Sequence, residues 1–359
     1  MLIVTNEEIE SFLAMPECLQ VLEEAYRDLG NGDAADIPRQ DMLVSNPRPG
    51  AVHSFKTMSG SWPRAGVAAL RLNSDIVNWP VVNGSPRRVK MPVSQPGNRY
   101  NGSVLLFSTD TGQLLCIMND GVIQKTRVGG SSGVAAKYLA RKNSKVLGLL
   151  GTGWQAEAHL EALCAVRTFD LVKVYSTTAE NRKSFVERFR AKLQINIVAV
   201  DSAADAAKDA DVLLSATNSM TPTIKPEWVR PGMHIASVRG SEIPIEVLNK
   251  VDRLVLNTAQ PVTAYPARGW PSEVPEFTNG DYSRPDIGIL DFSTVPELKD
   301  VVAGKAPGRQ SDDEITCFHN YKGLGLQFAA MGSIVYREAT KRKLGRSVED
   351  ILFTQSVHP

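Results

Sequence analysis

The chain has 359 residues, of which 43% are hydrophobic and 22% charged, with a formal net charge of +1. That length supports two domains with sizeable cores. The charge balance argues against a nucleic-acid or membrane surface, and the apolar runs are too short for a membrane span. Cys18, Cys116, Cys164 and Cys317 are scattered without metal-ligand or disulfide spacing, so no metal site is expected. The first residues lack a basic region followed by a long apolar one, so no signal peptide is expected and the setting reads as a reducing cytoplasm.

Residues Asn6–Gly30 read as helix, with Leu13, Leu19, Val21, Leu22, Ala25 and Leu29 at helical spacing and Gly30-Asn31-Gly32 as the stop. Residues 36–118 are punctuated by Pro, Gly and Asn and carry short strand-like runs such as Val67–Leu72 and Ser103–Ser108. Asp110-Thr111-Gly112 reads as a hairpin turn between two of them. A helix is expected over Gly121–Arg141. From Ser144 onward strands and helices alternate. Strands are expected at Lys145–Leu150, Leu171–Ser176, Asn196–Val200, Asp211–Ala216, His234–Val238 and Arg253–Asn257. Such alternation builds a parallel sheet with helices on both faces. Asp252 to Pro296 is loop-rich, and its Pro261–Pro285 stretch is read as a cover for a site. From Asp312 to about Lys343 the chain is expected to be helical.

The apolar run Val146–Leu150 leads into Gly151-Thr152-Gly153-Trp154-Gln155-Ala156 and then a helical pattern. Strand, glycine turn and helix together form the context of a dinucleotide fingerprint. Gly151 permits the tight turn, Gly153 lets backbone N–H groups approach a pyrophosphate, and Ala156 is the small residue where helix and strand pack closely. The fold class is therefore α/β. A Rossmann-type dinucleotide-binding domain (residues 126–311) combines with a β-rich substrate domain (1–125 with 312–359) built from the N-terminal part and the C-terminal helix, to which the family resemblance given below adds dimerisation. Ligands are expected in the cleft between them. The second strand ends at Ser176-Thr177-Thr178, with no acid to accept a ribose 2′-hydroxyl. Ser176 and Thr177 with Arg182 suit a 2′-phosphate, so NADP(H) is preferred over NAD(H). The competing reading leaves Arg182 and Lys183 as solvated helix residues. Thr217, Val238 and Gly240 complete the expected cofactor set.

The chain also resembles the ornithine cyclodeaminase/μ-crystallin family over nearly its full length. The motifs that carry the likeness are Pro38-Arg39, Asp110-Thr111-Gly112, Thr126-Arg127-Val128-Gly129-Gly130, Leu139-Ala140-Arg141 and the glycine turn. Gly240-Ser241-Glu242-Ile243-Pro244 and Gly304–Thr316 follow in family order. The resemblance implies a homodimer paired through the β-rich domain, a nicotinamide cofactor, and hydride transfer at a carbon bonded to nitrogen.

By that likeness Arg39 and Arg127 hold a substrate carboxylate, a task that suits a guanidinium fork, though either would also serve in a structural ion pair. Glu242 matches a position where the family often has aspartate and is read as the catalytic carboxylate, or else as a helix N-terminal acid. Many members carry a lysine on a strand after a Gly-apolar pair. Here, in strict register, Ala68 takes that place in Gly66–Leu72, with Arg71 on the opposite face. A shift of one residue brings Arg71 onto the site face. Lys56 is another candidate cation. Asn320 or Lys322 is read as approaching the nicotinamide or substrate. The resemblance thus implies an NAD(P)H-dependent oxidoreductase reducing a small α-imino acid or ketimine, or running the reverse. A cyclodeaminase with bound NAD and a non-catalytic crystallin-like binder are the alternatives.

Overall fold

In a computed structural model, the described residues are 1–82, 85–86, 88–94, 98–267 and 292–357. Most of the Pro261–Pro285 stretch lies outside them. Two sheets organise the chain. The first has nine strands, with the long antiparallel run Ala35–Ser45, Ala51–Trp62, Val67–Asn78, Asn101–Ser108 and Leu114–Asn119 at its centre. Along Val67–Asn78 buried and half-exposed residues alternate without a break, as expected of a strand with one covered face. The turn at Asp110-Thr111-Gly112 joins two paired strands, and Gly112 has a positive φ of 72°.

The second sheet is wholly parallel. Its order is Ile197–Ala199, Leu171–Tyr175, Val146–Leu150, Val212–Ser215, His234–Ser237, Thr316–His319 and Arg253–Leu256. The strand order reverses beside Val146–Leu150, so the crevice of a doubly wound sheet opens at the carboxyl end of that strand. The six expected strands are all present, each trimmed at its ends.

Two expectations are corrected. The N-terminal helix is split into Asn6–Glu10 and Met15–Asn31, with Pro16 in the first turn of the second. Proline is tolerated there and would interrupt a continuous helix. The stretch from Asp312 is not helical throughout: Thr316–His319 is a strand of the parallel sheet, and the helix starts only at Gly325. The division at residue 312 therefore moves C-terminally past this strand. Thr263–Pro266 crosses the other way and pairs with Ala35–Ser45 of the first sheet.

Two helices set the cleft. Gly121–Leu139 is buried on nearly all sides, packed against Trp154–Val166 and Met15–Asn31, as befits a helix running between two layers. Gly325–Arg342 lies across strands Ala51–Trp62 and Val67–Asn78. No helix of the described residues is long and apolar enough to cross a membrane.

Candidate active site

A cleft lies between the covered face of the antiparallel sheet and the carboxyl ends of the parallel strands. Eight cationic side chains line it: Arg39, Lys56, Arg71, Arg88, Lys90, Arg127, Arg239 and Lys322. Among the described lining residues there is no aspartate or glutamate. Arg88, Lys90 and Arg239 were not anticipated from the sequence; the first two lie in a Pro- and Gly-rich stretch that carries no periodic signal.

Local backbone explains how several of these residues reach the cleft. Ile37 pairs with Ser59 and Gln40 with Thr57, so Pro38 and Arg39 together face Met58 in a bulge. A bulge re-aims side chains, and proline is at home in one. Arg39 points inward and grips Asp41 through Nε and Nη2, at 2.7 and 2.5 Å. Arg71 stands on the covered face, cross-strand from Met58, which corrects the strict register: Ala68 faces the other way and Arg71 enters the cleft. Its Nε and Nη2 donate to Asp120 Oδ2 at 2.9 and 2.7 Å. Lys56, cross-strand from Asn73, lies 3.6 Å from Asp75, and Lys90 lies 2.8 Å from the same carboxylate. Burial, with repulsion from Arg88 and Arg39, holds the Lys56 ammonium well below its ordinary range. Burial likewise lowers Lys90 against the pull of Asp75. Burial pushes Asp75 up, but Lys90 and Lys56 outweigh it and the carboxyl sits low.

Arg127 differs from the others. It is 5% exposed, and among the described residues its bonds run to the neutral oxygens of Gln124 and Gln327, at 2.8 and 2.9 Å for the shortest pair. Burial, reinforced by Arg71 and Arg39, lowers its guanidinium to about 9. Arg127 and Arg71 both stack on the Phe328 ring, 5.2 and 5.5 Å from its centroid. Gly323 leaves room for the fork, since a Cβ there would lie 2.3 Å from Arg127 Nη1. Gln327 is itself held by Tyr26 and Ser131 through its amide N–H groups, so the orientation of Arg127 is set by three helices. An oriented buried cation without a carboxylate partner is poised for an anion.

The glycine turn fits a dinucleotide. Gly151 has φ +117° and donates to Tyr175 O at 2.7 Å; a Cβ on it would strike Ala216 O at 2.3 Å. Only glycine makes this turn without strain. Gly153 is the N-cap of Trp154–Val166 with no side-chain cap, and a Cβ on it would meet nothing within 4 Å. The space beside Gly153 is thus open and the helix N-terminus carries no side-chain cap, which suits a pyrophosphate. Thr152 Oγ1 is 3.1 Å from Ser176 Oγ. Trp154 is half exposed, with Lys125 Nζ 5.3 Å from its ring. Arg182 donates from Nη1 to Ser176 O at 2.6 Å and stacks on Tyr175. Gln155 Oε1 and Asn320 Oδ1 are buried on the cleft without a partner among the described residues, while Asn320 Nδ2 is anchored on Val128 O at 2.8 Å.

Glu242 is not brought into this cleft. It is fully buried, and both its oxygens are committed. Oε1 accepts from Ser215 Oγ, Thr217 N and Thr217 Oγ1 at 2.7–2.8 Å; Oε2 accepts from Val238 N and Arg239 N at 3.1 and 2.9 Å. It ties together the loops after strands Val212–Ser215 and His234–Ser237, and through them Thr217, Val238 and Gly240. The acid that the sequence reading sets beside the substrate is thus held in the loop network instead of lining the cleft.

A profile of the ornithine cyclodeaminase/mu-crystallin family matches residues 1–343. The chain belongs to this family. It is 31% identical to an alanine dehydrogenase of Archaeoglobus fulgidus over 97% of this chain and 98% of the other. It is similar to the solved Δ1-pyrroline-2-carboxylate reductase of Thermococcus litoralis in complex with NADH and L-proline: TM-score 0.76, 27% identity, 97% of this chain and 100% of that one. An archaeal alanine dehydrogenase dimer with bound NAD gives a TM-score of 0.75 at 28% identity, over 97% and 99% of the two chains.

Proposed function

We propose that this protein is an NAD(P)H-dependent oxidoreductase that reduces a small α-imino acid or ketimine to an amino acid, or runs the reverse. The observation that carries this reading is the cationic cleft, with no carboxylate among its described lining residues, which reaches Gln155 of the glycine turn. A nicotinamide dinucleotide held at the Gly151–Gln155 turn would supply or accept hydride at the carbon of the C–N bond. Arg127 and Arg71 hold the substrate carboxylate, with Arg39 beside them. In reduction the imine takes one hydride and one proton to become the amine. Lys56, whose ammonium gives up its proton readily because it is buried, donates that proton to nitrogen. Asn320 and Gln155 offer acceptors to amide or amine N–H groups. The relatives' activities, reduction of a pyrroline carboxylate and dehydrogenation of alanine, are both hydride transfers at such a carbon. The test is absorbance of NADH and NADPH with keto acids plus ammonia or methylamine, and with preformed cyclic imines. Stoichiometric oxidation is expected. Ammonia release from ornithine with catalytic NAD and no net absorbance change would move the protein to the cyclodeaminases.

For the cofactor, the absence of an acid over Ser176–Thr178 and the closeness of Arg182 support NADP(H) over NAD(H). Ser176→Asp is expected to swing binding toward NADH, because a carboxylate repels a 2′-phosphate and accepts a 2′-hydroxyl. Tighter NADH than NADPH binding by the parent would refute the preference. For assembly, the outer face of the antiparallel sheet exposes Ile37, Met42, Val44 and Tyr265. A contiguous apolar face of this kind supports a homodimer. Light scattering that returns the single-chain 39.1 kDa would contradict it. All four cysteines are free, which suits a cytoplasmic setting.

A further inference from the structure

Resting on the reading above, we propose that Gln327 is the positioning residue that reserves Arg127 for the substrate carboxylate. Its amide oxygen steers the guanidinium without neutralising it, and a buried network fixes which end of the amide does so. Gln327 Oε1 accepts from Arg127 Nη1 and from Leu324 N, each at 2.9 Å. An amide can present either end, so its direction has to come from its neighbours. Here two backbone carbonyls, which only accept, decide it. Lys322 O takes the Nδ2 group of Asn257. Asn257 Oδ1 therefore faces Tyr26 and receives its hydroxyl hydrogen at 2.5 Å, the nearer of two acceptors, with Ser131 Oγ at 2.9 Å. Arg127 O takes the hydroxyl hydrogen of Ser131 at 2.8 Å. Both hydroxyls have then spent their hydrogens and turn lone pairs toward Gln327. Only its NH₂ end can face them: Nε2 donates to Tyr26 Oη at 2.8 Å and to Ser131 Oγ at 2.6 Å.

This arrangement selects glutamine over glutamate. Tyr26, Ser131, Asn257 and Gln327 are each at most 2% exposed, so donors and acceptors must balance within the group. A carboxylate at position 327 would set an oxygen against the lone pairs of both hydroxyls. On its other side it would close an ion pair with Arg127, as Asp120 does with Arg71 and Asp41 with Arg39. A guanidinium has five N–H groups. Those on Nε, Nη1 and Nη2 that bond to Gln124 and Gln327 account for three. One on each Nη is left over among the described residues, and a carboxylate accepts such a pair. The network joins helices Met15–Asn31, Gly121–Leu139 and Gly325–Arg342 to the end of strand Arg253–Leu256. Its two ends, Arg127 and Lys322, both line the cleft. The neutral amide thus gives Arg127 a direction and leaves its charge for the ligand.

The experiment has a kinetic arm and a binding arm. The kinetic arm uses pyruvate with ammonia and reduced cofactor. The binding arm uses propionate, a carboxylate with nothing to reduce, titrated by ligand-observed NMR in the presence of NADPH. Gln327→Glu is expected to raise KM and to weaken propionate by about tenfold or more, as the loss of a charge-assisted contact should. The loss is expected in KM and not in kcat, with NADPH affinity retained. Gln327→Leu removes the oxygen and leaves the charge of Arg127 without direction. It is expected to lower kcat/KM about fivefold in the parent and less than twofold in Arg127→Ala, because a residue that acts through another adds nothing once that one is gone. Should Gln327→Glu not fold, this pair of comparisons decides alone. Parent-like KM and propionate affinity in a folded Gln327→Glu overturn the proposal and leave the oxidoreductase reading intact. Equal losses from Gln327→Leu in both backgrounds do the same and make Gln327 merely structural. No turnover of any imine, with propionate binding lost in both Gln327→Glu and Arg127→Ala, overturns that reading and leaves the positioning role standing.

Discussion

The cleft wall and the loop node around Glu242 hold buried charge in opposite ways. At the node one carboxylate receives five donors, three of them backbone N–H groups, and nothing is left over. In the cleft Arg127 has only amide oxygens for company, and two lysines share Asp75. A saturated buried charge holds structure; an unsaturated one is a standing demand for a ligand. By this criterion Glu242 fits a scaffold, and Arg127, which has no carboxylate partner among the described residues, fits the proposed binding role.

The largest expected effect is at the saturated end. Glu242→Ala leaves the N–H groups of Thr217, Val238 and Arg239 without their acceptor, at a cost of about 3 kcal/mol or more in stability. Urea unfolding measures it. Should the alanine variant not fold, Glu242→Gln serves instead: its amide oxygen still accepts from Ser215 and Thr217, while its NH₂ opposes two backbone donors. A normal unfolding midpoint with lost turnover would return Glu242 to the chemistry and dissolve the contrast.

At the unsaturated end, Arg127→Ala is expected to cut kcat/KM by about 1.5–3 kcal/mol, roughly 10- to 150-fold. Stability should change little, since the removed charge had no carboxylate partner among the described residues. Cofactor binding, read by fluorescence, should persist. Lost stability with unchanged kcat/KM would make Arg127 a second structural node.

Asp36 provides a smaller, intermediate case. Its Oδ1 accepts from Leu326 N at 2.8 Å, while Oδ2 has no partner among the described residues. Burial raises its carboxyl from 3.8 to about 7, with Glu297 adding to the rise. A raised folded-state value means that its stabilising contribution is present below pH 4 and is lost as pH rises through about 7. Asp36→Asn should remove that slope between pH 4 and 7, as chemical unfolding across the range would report. An unchanged slope would assign the proton to another group.

Much of the scaffold was legible because its signals are local. Periodicity placed all six expected strands of the parallel sheet, and the Gly151 turn announced itself through a conformation only glycine adopts. Arg39, Arg71, Lys56, Arg127 and Asn320 all came to the cleft. The failures have physical reasons. Thr316–His319 is a fully buried strand of four residues, too short for periodicity to separate strand from helix. Its place between His234–Ser237 and Arg253–Leu256 depends on a long-range pairing. Ala68 and Arg71 exchanged roles because a one-residue change of register inverts every side chain.

By itself, then, the amino-acid order determined the class of fold, the glycine turn and the kinds of charge available, since these follow from backbone sterics and residue chemistry. Only the tertiary structure decided which charges are satisfied. Glu242 and Arg127 are each one ionisable residue in a family motif. Whether an ion is a scaffold or a binding group depends on the donors and acceptors that distant segments bring to it. For Glu242 those are Ser215, Thr217, Val238 and Arg239; for Arg127, Gln124 and Gln327, 200 residues away along the chain.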